Sequence, residues 1–74
     1  MENDSEGRIW RLRKLHQYVD AELRQVANGG GTEVHFFYNG VFAYALRFPT
    51  RELALAEAAA KRNELERGGW MFHW

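Results

Sequence analysis

Asn39-Gly40 stands between two β-prone runs, Val34-His35-Phe36-Phe37-Tyr38 and Val41-Phe42-Ala43-Tyr44-Ala45-Leu46-Arg47-Phe48. Asn and Gly enter the left-handed backbone region at little cost, and a two-residue turn of that kind matches the twist of the strands it joins. The spacing predicts an antiparallel hairpin whose turn sets its register. Tyr38 then opposes Val41, Phe36 opposes Ala43 and Val34 opposes Ala45 on one face, while Phe37 opposes Phe42 and His35 opposes Tyr44 on the other. Both faces read as apolar. A helix can cover only one of them, so the second needs the N-terminal segment, the C-terminal tail or a second chain.

Phe48-Pro49-Thr50-Arg51-Glu52 reads as a strand-to-helix junction, with Thr50 as N-cap and Glu52 placed to favour the positive helix N-terminus. The helix is expected to run to about Arg67, with Glu57/Lys61 and Arg62/Glu66 as i,i+4 pairs on its flanks. Ala54, Ala56, Ala58, Ala59 and Ala60 permit close approach to a sheet that carries large aromatics, and Leu53, Leu55 and Leu65 are the expected anchors. Gly68-Gly69 ends the helix. The tail that follows, Trp70-Met71-Phe72-His73-Trp74, alternates like a strand and puts Trp70, Phe72 and Trp74 on one side.

Residues Met1 to Gly7 contain nothing worth burying and are expected to form a flexible leader to one domain over residues 8–74. From Ile9 to Ala27 two readings are open. Leu12, Leu15, Val19, Leu23 and Val26 fall on one stripe of an amphipathic helix that would stop at Asn28-Gly29-Gly30-Gly31. Trp10 and Leu12, then Val19, Ala21 and Leu23, equally fit two strands of a further hairpin, although Lys14-Leu15-His16-Gln17 is poor turn chemistry.

Trp10-Arg11-Leu12-Arg13-Lys14, Ala21-Glu22-Leu23-Arg24, Asn39-Gly40, Thr50-Arg51-Glu52-Leu53-Ala54 and Gly69-Trp70 together resemble a loose family of short uncharacterised bacterial proteins. That family has a Trp-x-Leu-x-Lys opening, an Asn-Gly or Asp-Gly hairpin, a Thr-Arg-x-x-Ala helix and a Gly-Trp ending. The resemblance covers most of residues 10–70 and implies a fold, with no activity attached. In the family the first segment looks like a hairpin with Asp or Gly at its turn, where this chain has Leu15 and His16.

Chemistry is harder to find than fold. Cysteine is absent, which excludes disulfides and thiolate metal sites. The three histidines, His16, His35 and His73, have no metal-ligand spacing, and no His-Glu-x-x-His or Gly-x-Gly-x-x-Gly pattern occurs. Ser5 is the only serine and lies in the leader, while Thr32 and Thr50 sit at a glycine run and a helix cap. No catalytic residue, metal or cofactor is therefore expected, and the chain does not read as an enzyme. Ten Lys and Arg balance ten Asp and Glu, so no net field draws the chain to nucleic acid or to an anionic membrane. The start lacks an apolar signal core and no apolar run approaches a membrane span, which predicts a cytoplasmic protein.

The sequence thus predicts an α+β domain, a small antiparallel sheet built on the Asn-Gly hairpin and packed on a C-terminal helix. The 15% aromatic content is high for 74 residues that lack any covalent staple, and it suits a non-catalytic interaction domain that forms a homodimer or docks on a protein partner. His35, Phe37, Phe42 and Tyr44 are the candidate sheet surface, joined by Trp70, Phe72 and Trp74 from the tail. The alternative is a nucleic-acid-binding module, with Arg8, Arg11, Arg13 and Lys14 contacting phosphates and the aromatic sheet face stacking bases.

Overall fold

The computed structural model describes residues 5–72, with side-chain surroundings from residue 7 onward. Strands β1 (Ser5–Lys14), β2 (Gln17–Gln25), β3 (Thr32–Tyr38) and β4 (Val41–Phe48) precede helix α1 (Arg51–Arg67) and the short strand β5 (Met71–Phe72). They form one sheet in the order β4-β3-β2-β1-β5, antiparallel throughout, with α1 packed on one face. The fold is α+β, as the sequence predicts.

Residues 9–14 and 17–25 lie in strands β1 and β2 joined by a turn at Leu15-His16, and the helical reading is overturned. Period-two burial decides it. Trp10, Leu12, Val19, Ala21 and Leu23 are all buried on the α1 side of the sheet, and Arg11, Arg13, Asp20 and Glu22 alternate with them on the other face. Leu15, an anchor of the helical stripe, is 83% exposed in the turn. Its φ of 57° is left-handed backbone, which costs a branched residue about 1–2 kcal/mol. Pairing of β2 on both of its sides outweighs that local cost. β1 also begins earlier than the expected leader allows, since Ser5 pairs with Arg24 and Gly7 with Leu23.

Between β3 and β4 the expected register holds for Tyr38/Val41 and Phe37/Phe42 and then slips by one residue. A β-bulge takes up Ala43, so Phe36 faces Tyr44, His35 faces Ala45 and Val34 faces Leu46. Tyr44 consequently lies on the helix side of the sheet, with its ring 5.0 Å from that of Phe36. The predicted His35/Tyr44 pair does not form. His35 instead lies 5.5 Å from the Phe42 ring. The bulge follows from side-chain size: it puts Tyr44, Leu46 and Phe48 on the α1 side and leaves Ala45 on the other.

Asn39 has φ 55° and Gly40 φ 82°, the left-handed pair that the turn requires. Asn39 also ties this turn to the next strand: its N–H donates to the Tyr18 carbonyl at 2.9 Å, and its Oδ1 accepts from the Tyr18 N–H at 3.0 Å. At the far end of the hairpin Gly31 runs so close to β4 that a Cβ there would collide with the Phe48 carbonyl oxygen.

The core comprises Trp10, Leu12, Val19, Ala21, Leu23, Val34 and Phe36 from the sheet and Ala54 and Ala58 from the helix. Thr50 caps α1 by accepting from the Leu53 N–H at 3.2 Å. Alanine at 54 and 58 lets the helix backbone approach until the Trp10 Nε1–H reaches the Ala58 carbonyl at 3.2 Å. Trp10 therefore supplies bulk and also a hydrogen bond between the sheet and the helix. Trp10→Ala is expected to cost about 3–5 kcal/mol. A domain of this length has roughly 4–11 kcal/mol in total. Urea unfolding followed by far-ultraviolet circular dichroism checks this; a loss below about 1 kcal/mol would mean that the interlock is not the main tie.

Candidate interaction surface

The sheet face away from α1 is built in rows by strand register. One row runs Phe42-Phe37-Asp20-Arg11, the next Ala45-His35-Glu22-Arg8, and the next Arg47-Glu33-Arg24. Within them charges pair with charges. Arg11 grips the buried Asp20 through two bonds, Nε to Oδ1 at 2.6 Å and Nη2 to Oδ2 at 3.0 Å, and its guanidinium lies 4.8 Å from the Tyr18 ring centre. That bidentate bond to Asp20 holds the Arg11 pKa above its usual value, against the opposing effect of burial. Arg24 bonds Glu22 at 2.9 Å, and Glu33 accepts from Arg47 at 3.0 Å. His35 Nε2 lies 2.8 Å from the other Glu33 oxygen; an ionised carboxylate only accepts, so Nε2 carries the proton. Phe37 and Phe42 meet edge to face at 5.8 Å. This face solvates itself with an ionic lattice and carries the aromatic patch of His35, Phe37 and Phe42.

The predicted seven-residue surface divides between the two faces. His35, Phe37 and Phe42 share the open face, whereas Tyr44 lies on the helix side. Trp70 is half-buried against the core, and Phe72 stands opposite Leu12 on that same side. Trp74, like His73, lies outside the described residues. The basic cluster divides as well. Arg11 and Arg13 occupy the open face, and register sets Arg8 opposite Glu22. Lys14 points the other way and donates to the Gly68 carbonyl at 2.8 Å, closing the C-terminal end of α1 onto β1. Arg13 donates to the Leu15 carbonyl at 3.1 Å.

The feature that sequence reasoning missed is the β4 edge. Val34 and Phe36 are fully buried, yet their neighbours Leu46 and Tyr44 on β4 are each 38% exposed, and Val41 is 67% exposed. No residue from Val41 to Arg47 is buried. A two-residue turn closes on a hydrogen-bonded pair, so Tyr38, Phe36, Val34 and Thr32 bond β4 while alternate β3 residues bond β2. The Asn39-to-Tyr18 bond fits this alternation. β4 therefore commits Tyr44, Leu46 and Phe48 to β3 and turns the N–H and C=O of Ala45 and Arg47 outward. At 100° per residue, Leu53, Glu57, Lys61 and Glu64 form the flank of α1 beside this edge, where Lys61 Nζ lies 6.0 Å from the Tyr44 ring centre.

Among the described residues no group of three or more His, Asp or Glu is gathered to hold a metal ion. Thr32 Oγ1 donates to Gln25 Oε1 at 3.1 Å, and Thr50 is spent on the helix cap. A shallow, open hollow of about 270 Å³ is lined by Arg13, Leu15, Met71 and Phe72. Among the described residues no helix is long and apolar enough to cross a membrane. No protein-family model, curated protein or solved structure matches the chain.

The Glu33 carboxyl is held below the usual glutamate range, first by its bond to His35 and then by Arg47, against a smaller opposing effect of burial. A depressed folded-state value means that this stabilisation is complete above the unfolded pKa and is lost as pH falls through the folded one. Glu33→Gln should therefore flatten the loss of stability below about pH 4.3, with little change at pH 7 in its slope against pH. Denaturant midpoints measured from pH 7 to pH 3 test this, and parallel wild-type and variant curves would contradict it.

Proposed function

We propose that this chain is a small non-catalytic interaction domain that extends its sheet at β4 by taking up an additional strand. The observation that carries this reading is the concentration of unmet demands along one edge. The outward backbone groups of Ala45 and Arg47 share a strand with exposed Val41, Phe42, Tyr44 and Leu46, and Arg47 is the only charged residue of that strand. Strand addition draws affinity from main-chain hydrogen bonds and specificity from alternate side chains, so an edge of this composition serves it directly. The aromatic patch of His35, Phe37 and Phe42 adjoins the same edge on the open face and would widen the contact.

A nucleic-acid-binding reading has one observation in its favour: register brings Arg8, Arg11 and Arg13 to the face that also holds His35, Phe37 and Phe42. It is the weaker reading, because Arg11, Arg24 and Arg47 are already bonded to Asp20, Glu22 and Glu33. A phosphate would have to displace those carboxylates.

Selection of phage-displayed peptides against the immobilised chain tests the proposed reading. The expected binders are extended peptides with alternating apolar residues, and their affinity should fall about tenfold or more on Ala45→Pro, which removes an outward N–H and leaves the β3 ladder intact. Absence of binders, or binders indifferent to that substitution in a folded variant, would contradict edge addition.

A further inference from the structure

Resting on that reading, we infer that the strand taken up at β4 is β4 of a second copy of this chain, antiparallel across a two-fold axis at Ala45. Hydrogen-bond parity selects the possible centres. A symmetric pair closed by hydrogen bonds needs a residue whose N–H and C=O both point outward, and in the regular part of β4 these are Ala45 and Arg47. Centring on Arg47 would set two guanidinium groups side by side. Centring on Ala45 sets two methyl groups together and moves Arg47 opposite Ala43 of the other copy.

The same register is self-complementary on the helix side. Tyr44 of each copy meets Leu46 of the other, and these are side chains that α1 leaves 38% exposed. The net charge of zero adds no long-range repulsion between copies. One strand edge with two contact pairs per copy falls short of the roughly 800 Å² per partner of a standard interface. The dimer is accordingly reversible, dissociating on dilution in roughly the micromolar range.

Sedimentation equilibrium of the full chain from a few micromolar to several hundred micromolar tests the inference, with folding of each variant verified by circular dichroism. The expected result is a monomer–dimer equilibrium, with Ala45→Pro and Leu46→Lys each shifting dissociation upward by about tenfold or more. Leu46 is partly exposed in the monomer, so Leu46→Lys decides the matter should Ala45→Pro fail to fold. A monomer at every concentration would overturn the inference. If peptides still added at β4 in that case, the edge-addition reading would stand with a different occupant; if they did not, both would fall. A dimer undiminished in a folded Leu46→Lys variant, or open-ended assembly beyond the dimer, would also overturn it.

Discussion

One helix has to serve a five-stranded sheet, and most of the surface follows from that mismatch. A helix is about 10 Å wide with its side chains, and strands repeat about every 4.8 Å, so a single helix shields roughly two strands fully. Here it lies over β3, flanked by β4 and β2, and the fully buried sheet residues beside it include Val19, Ala21, Leu23, Val34 and Phe36. Ala54 and Ala58 set its closeness to the sheet, and the Trp10 Nε1–H reaches from β1 to the Ala58 carbonyl. At β4, where no further strand follows among the described residues, Tyr44 and Leu46 stay partly exposed beside the helix.

The two outer parts of the sheet are treated differently. Along β1 the register shifts between Ser5 and Gly7 and again between Arg8 and Trp10, β5 pairs at Leu12 and Arg13, and arginines line the strand. Bulges, charges and a covering segment are the means by which sheets avoid unwanted pairing. β4 has a bulge beside its turn, a single arginine and, among the described residues, no covering strand. The open face needs no cover of that kind, since Asp20, Glu22 and Glu33 neutralise arginines within it. An exposed sheet face and an exposed sheet edge thus make separate demands, and only the edge is left with unpaired backbone.

Much of the fold was legible because it rests on local chemistry. Asn39-Gly40 announced the hairpin, Thr50 the helix start and Gly68-Gly69 its end, and each is where the residue types place it. The first segment was ambiguous because Leu12, Val19 and Leu23 fit both a helical stripe and a strand alternation; pairing with β3, a long-range contact, resolves it. The bulge at Ala43 was misread because register was propagated from the turn alone, whereas the sizes of Tyr44 and Leu46 determine which face they take. That one-residue slip moved Tyr44 out of the expected aromatic surface. The exposed edge could not be read at all without strand order, since nothing in Val41 to Phe48 says whether a fifth strand adds beside β4 or beyond β1.

The central claim is that β4 is a free edge in the monomer and is occupied by self-pairing. Residue-by-residue amide hydrogen exchange by nuclear magnetic resonance, at a dilute and at a concentrated protein sample, tests it most directly. The account predicts that Tyr44, Leu46 and Phe48 are protected in both samples, while Ala45 and Arg47 exchange freely when dilute and become protected when concentrated. Ala45 and Arg47 exchanging freely at every concentration, or protected even at the lowest, would contradict it.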